Sequence, residues 1–327
     1  MAQEVQALGQ ALKKKSGVKD IKVLKRLMLV SLFAECFARS LLHLSLGPWI
    51  WILAVISLAL HLSLESQFMH TIMHGSYSGL PGGENFTPNN FETIGVPLRC
   101  KTWGRAHGLH HRFPSLLEID PDTLHPFYRV HEKIKWRIWN YLNTFLGPLL
   151  VFECCALNYD KALKSNSMRR MSDKGELLKF LSFVFYQYFL FPLLAGAHWK
   201  YVFFGNLSAV LIRNLVSASL QMASSVGHQV STVHHDKNIS LSLDELIRFQ
   251  IETSKNFKSY PLWRHFLGGL DRHIEHHLFP SHTPARLHEV TGHIKELSRK
   301  NEIKYFEFSS FSASMKDSLS YLHLLSR

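Results

Sequence analysis

Four long apolar runs, joined in pairs by short turns, constrain this 327-residue chain more than any other feature. Residues 27–46 and 49–64 approach the ~20 apolar residues that cross a hydrocarbon core about 30 Å thick, and Gly47 and Pro48 turn the chain between them. Residues 177–197 and 201–222 make a second pair around His198, Trp199 and Lys200. The mean hydropathy of −0.03 conceals this division, because strongly charged stretches separate the runs. Helices buried in a large soluble domain are the alternative, but four such lengths at hairpin spacing are hard to bury in one core. The expected fold is all-α and integral to a membrane: four transmembrane helices in two hairpins with a cytoplasmic helical cap, one domain over residues 1–327.

Charge placement orients the hairpins. Lys13, Lys14, Lys15, Lys19, Lys22, Lys25 and Arg26 make residues 1–26 a basic segment before the first run, whereas the turn at Gly47 carries no Lys or Arg. Residues 101–179 and the C-terminal hundred are also basic, and the second turn offers only Lys200. Positive residues mark the cytoplasmic side. The formal charge of +12 is accounted for by a basic face beside anionic headgroups, so no nucleic-acid partner is expected. The opening segment reads as neither a secretory signal nor a transit peptide. Cys36, Cys100, Cys154 and Cys155 form no CxxC and read as reduced packing residues. Within the runs, Glu35 and Arg39 are four apart and should neutralise each other on one helix face, while Arg213 needs a partner. Residues 141–157 are apolar but short and broken by Gly147 and Pro148, which suggests a helix along the membrane interface.

Histidine spacing supplies the chemistry. His107, His110 and His111 form an HxxHH box, His273, His276 and His277 form another, and His70 and His74 form HxxxH. With 21 histidines in the chain, chance yields roughly 0.1 HxxHH matches. Positions i, i+3 and i+4 share one helix face, so each HxxHH box can aim three imidazoles at one pocket. Neutral imidazole suits iron, zinc, copper or nickel. Eight such ligands exceed what one ion accepts, which argues for two metals. His228, just beyond the fourth run, is the candidate ninth ligand, against a structural role for a lone histidine. Partners for the second ring nitrogens are sought among Asp120, Asp122, Asp271 and Glu275, with Glu65, Glu118 and Asp236 also near in sequence. Asn256 is a candidate holder of a metal-bound water, or else a cap or turn residue. HExxH, GxSxG, GxxxxGK[ST] and GxGxxG are all absent, and so is the ExxH of carboxylate-bridged di-iron bundles.

From the first run to about His293, these residues resemble the membrane-bound fatty acid desaturase family with three histidine boxes, acyl-lipid or acyl-CoA type. FMHTIMHGSYS (68–78) is similar to its first box, WGRAHGLHHRFPSLLEIDPD (103–122) to its second and GGLDRHIEHHLFP (268–280) to its third. The resemblance implies a four-span stem, a cytoplasmic cap holding two non-haem irons, and a narrow tunnel for an acyl chain. It also implies O2 as co-substrate and removal of two hydrogens from adjacent carbons. Such C–H bonds are not acidic, so cofactor chemistry must carry the step, and selectivity follows from which carbon pair is presented.

Departures bear on subtype. His273 stands where front-end desaturases usually carry glutamine, the HPGG motif of a fused cytochrome b5 domain is absent, and Thr71 follows His70 where an aspartate is common. The front-end subclass is therefore not assigned. Electrons are expected from an external ferredoxin or cytochrome b5 type carrier, and the acyl group on CoA, a carrier protein or a lipid. A bacterial inner membrane is favoured over endoplasmic reticulum. Two other functions stay in view: a fatty acyl or carotenoid hydroxylase or oxygenase on the same scaffold, and a membrane metal transporter or sensor, whose histidines should lie within the spans.

Overall fold

Gly47 adopts φ +108, a conformation closed to most side chains, and Pro48 supplies the fixed φ that starts a helix, so the first hairpin turns within three residues. The computed structural model describes residues 1–117, 119–124, 129–153, 174–230 and 241–327. A basic amphipathic helix α1 (Ala2–Lys15) precedes α2 (Val18–Leu44) and α3 (Pro48–Met73). The second hairpin is α6 (Lys174–Phe185), a π turn (Tyr186–Leu190), α7 (Phe191–Leu194) and α8 (Trp199–Ser225). Between the hairpins lie α4 (Cys100–Arg112) and α5 (Asn140–Leu146). After them come α9 (Leu243–Glu252), α10 (His273–Leu278), α11 (Pro284–Lys300) and α12 (Phe311–Leu325). Four of these segments are long and apolar enough to cross a membrane: Val18–Leu44, Pro48–Met73, Leu177–Leu194 and Gly196–Ser225. A parallel pair, β1 (Asn256–Phe257) with β2 (Glu307–Phe308), is the one sheet among the described residues.

Small side chains let the spans approach closely. Ala38, Ala54, Ala59 and Ala209 are buried where α2, α3 and α8 meet, and a Cβ on Gly205 would lie 2.5 Å from Leu42. Leu29, Phe33, Ile56, Leu178, Leu193 and Leu215 remain exposed on the outer faces. That apolar belt is the surface that lipid covers.

Charges inside the stem are paired. Arg39 donates to Glu35 at 2.9 Å, as the spacing predicts, and Tyr186 from the π turn donates to the same carboxylate oxygen at 2.7 Å. Arg213 is fully buried and meets Glu153 at 3.2 Å and the Gly95 carbonyl at 3.1 Å. Asn214 also donates to Leu149 O at 2.7 Å and to Glu153 at 2.6 Å. The apolar segment after residue 140 breaks at Gly147 and Pro148 as expected, yet these bonds fasten it to the fourth span. Of the cysteines, Cys36 is exposed and Cys100 buried, both free, while Cys154 and Cys155 lie outside the described residues.

The cap has its own core. Val5 and Leu12 of α1 pack with Ile247 and Ile251 of α9, Ile274 of α10 and Leu287 and Ile294 of α11. The apolar face of the basic N-terminal segment therefore covers the element that carries the third histidine box.

Candidate metal centre

Three separate elements bring the histidines together. α3 runs straight out of the stem, so His70 sits on its last turn and His74 at its C-cap, one turn apart. α4 carries His107, His110 and His111 on one face, and the short helix α10 carries His273, His276 and His277. Two adjacent clusters result. His70, His74, His107, His111 and His276 offer five ring nitrogens within 4.8 Å of one another, and His110, His273 and His277 offer three under the same limit. Each cluster draws on both HxxHH boxes. His70 Nε2 lies 3.1 Å from His107 Nε2, and His277 Nε2 lies 3.1 Å from His273 Nε2. The clusters touch through His111 and His277, whose ring centroids are 4.5 Å apart.

Donor chemistry fits metal ions. The Nε2 atoms of His74 and His276 are buried without a hydrogen-bond partner, a costly state for a lone pair that coordination relieves. Burial, followed by the neighbouring imidazoles, pushes His107, His111, His276 and His277 well below the ordinary histidine range, and His273 to about 3. These rings are therefore neutral, as ligands must be. His110 differs: burial opposes its charge, but the Asp120 and Asp122 carboxylates raise it to about 9. His110 donates from Nδ1 to Asp120 at 2.9 Å, so Nε2 faces the cluster and its proton is the one a metal would displace on binding. Asp120 is itself held by the backbone N–H groups of Ser115 at 2.6 Å and Asp122 at 2.9 Å.

Replacing Asp120 with asparagine is accordingly expected to weaken metal retention by about 10–100-fold. Metal content after dialysis against a graded chelator series measures this. Retention equal to that of the unmodified chain would mean that Asp120 does not support His110 in metal binding.

Other expected site residues land differently. His228 is exposed, 3.0 Å from Ser320 Oγ on α12 and against the Tyr321 ring, so the structure does not bring it to either cluster as a ninth ligand. Asn256 spends its amide on the protein: Nδ2 donates to Glu275 and Tyr305, both at 2.7 Å, and Oδ1 accepts from Ile274 N at 3.0 Å. These three bonds pin α10. Glu275 accepts from Asn256 and Tyr305 and has the same anchoring role. Asp271 accepts from Ser259 and lies 3.0 Å from His288, with no box histidine as partner. Asp122 lies 3.6 Å from His110 and accepts from Gln221 at 2.9 Å. Glu65 accepts from Thr93, away from the boxes, and Glu118 and Asp236 lie outside the described residues.

Some contributors have no signal in the sequence. His273 Nδ1 donates to Ser224 O at 3.1 Å across 49 positions, a contact that only the packing of α10 on α8 creates. Trp103 stacks on His107 with centroids 4.3 Å apart, and its place four residues earlier on α4 is a spacing clue that was available.

Comparison with known proteins agrees with this geometry. The family model described as fatty acid desaturase matches residues 46–309. The chain is 24% identical over 322 residues to the NADPH-dependent stearoyl-CoA 9-desaturase of Mycobacterium tuberculosis, covering 93% of this chain and 74% of that one. It is 23% identical over 276 residues to the sn-1 linoleoyl-lipid 6-desaturase of Synechocystis, covering 79% of this chain and 75% of the relative. No solved structure matches.

Proposed function

Because this chain belongs to the fatty acid desaturase family and is an oxidoreductase of that class, we propose that it desaturates a fatty acyl chain with two non-haem irons and O2, using electrons from an external carrier. The observation that carries the reading is the meeting of all three histidine boxes in two adjoining clusters, buried except for the half-buried His74 and His107. Bound irons supply the redox chemistry that activates dioxygen. Reduction of O2 to two waters takes four electrons, of which the C–C bond being desaturated contributes two. The two C–H bonds broken also release two protons; the other two electrons come, one at a time, from a carrier of ferredoxin or cytochrome b5 type, and the other two protons from solvent.

The protein's own residues hold and shield this centre. His70, His74, His107, His111 and His276 would hold one ion through up to five ring nitrogens, and His110, His273 and His277 would hold the other through three. Asp120 orients His110, Ser224 orients His273, and Asn256 with Tyr305 and Glu275 fixes the helix that carries the third box. No side chain here acts as a base on carbon, since an unactivated methylene offers no acidic proton. The basic segment before α2 and the basic cap support an orientation with this face toward the cytoplasm. The names of the relatives span CoA and lipid carriers and positions 6 and 9.

Expression in a host followed by mass spectrometry of its fatty acids tests the reaction. An acyl product two hydrogens lighter than its precursor is expected. An accumulating product one oxygen heavier would replace desaturation with hydroxylation.

A further inference from the structure

A cleft of about 430 Å³ opens on the cap beside the third histidine box, lined by Lys258, Arg264, Arg272, His288, Lys295 and Glu307 among others. Its carboxylates are already neutralised. Glu307 is held by Arg272 at 2.8 Å and Lys295 at 2.7 Å, and Glu289, also at the wall, by Arg286 at 2.7 Å and Lys15 at 3.2 Å. Two cations are left over. The Lys258 ammonium has no hydrogen bond or ion pair among the described residues, and Arg264 Nε is buried without an acceptor. A buried guanidinium N–H with nothing to bind is costly, and an anion entering the cleft would satisfy it.

The surroundings indicate what kind of anion. Tyr260, Leu262 and Trp263, between the two unpaired cations, are 75%, 84% and 48% exposed. Exposed apolar and aromatic side chains next in sequence to the cleft's cations suit a site that receives an acylated molecule at a water–lipid boundary. Phe266, in the next turn, packs against the buried cluster that includes Ile21, Leu24, Leu64 and Phe68 of the first hairpin. On the other side, Arg272 immediately precedes His273, and Ser259 donates to Asp271. Arg272 of the cleft wall thus adjoins the third histidine box, and Lys258 and Arg264 flank the exposed apolar run.

We propose that this cleft binds a phosphate group on the headgroup of the acyl donor, with Lys258 and Arg264 as the recognising cations. The assignment rests on the desaturase reading for the identity of the ligand. A CoA thioester and a phospholipid share the required chemistry, and the test separates them.

The test uses the full-length chain in detergent and the double variant Lys258→Ala/Arg264→Ala, whose changes lie outside both histidine clusters. Calorimetric titration with stearoyl-CoA, with a short-chain phosphatidylglycerol and with methyl stearate needs no turnover. The double variant is expected to bind one of the two phosphate-bearing probes at least about tenfold more weakly, with methyl stearate unaffected. Loss confined to stearoyl-CoA assigns a thioester donor, and loss confined to phosphatidylglycerol assigns a lipid donor. Unchanged affinity for both phosphate probes would overturn the proposal. So would parallel loss of methyl stearate, or a variant whose one defect is a raised KM for the electron carrier. Phosphate-dependent binding by a chain that forms no double bond would keep the cleft and reject the redox reading instead.

Discussion

Replacing His276 with alanine is expected to reduce desaturation by more than about 100-fold while the chain still accumulates in membranes, because direct ligands should outweigh the 10–100-fold effects of their supporting partners. The His276 ring lies 4.7 Å from His70, 4.8 Å from His74 and 4.7 Å from His111, centroid to centroid, so it faces three ligands from the other two boxes. Its buried Nε2 has no protein partner to lose. Truncation should therefore cost metal rather than fold. Iron content and fatty acid profile are measured on the same preparation, with His198→Ala, an exposed histidine in the second hairpin turn, as the control that leaves both unchanged. Full activity in the His276 variant would remove this histidine from the metal centre.

Glu153→Ala is expected to destabilise the protein by about 3–5 kcal/mol, since it strands a buried guanidinium. Arg213 is 0% exposed, and its remaining contacts are the Gly95 carbonyl and the Phe152 and Phe183 rings, 4.5 and 5.6 Å from the guanidinium carbon. Asn214 would lose an acceptor in the same change. Replacing both charged partners with apolar residues, Arg213→Met with Glu153→Leu, should recover much of the loss, because the desolvated charge then disappears. Thermal unfolding in detergent measures all three proteins. A single variant as stable as the parent would show that Arg213 is solvated or finds another partner.

Legibility in the sequence followed the range of the interactions. Span positions and the hairpin turn were readable because apolar length and Gly47–Pro48 are local properties. The box histidines were readable because i, i+3 and i+4 spacing already fixes a shared face before any packing occurs. Asp120 was within reach for the same reason, ten positions from its partner on the next turn of chain. His228 was not. A lone histidine after a span carries no spacing, and Ser320, 92 positions away, sets its place. Asn256 was singled out as a polar residue near the site, but Tyr305, 49 positions on, and the β1–β2 pairing decide what its amide binds. Asp271 and Glu275 flank the third box in sequence, yet they point to His288, Ser259, Asn256 and Tyr305 and so orient the helix from behind.

Anomalous scattering at the iron edge, from crystals of the purified full-length protein loaded with iron, reaches the dinuclear assignment without relying on activity. Two peaks are expected, one bounded by His70, His74, His107, His111 and His276 and the other by His110, His273 and His277. A single peak serving all eight rings, or iron bound away from both groups, would contradict the account.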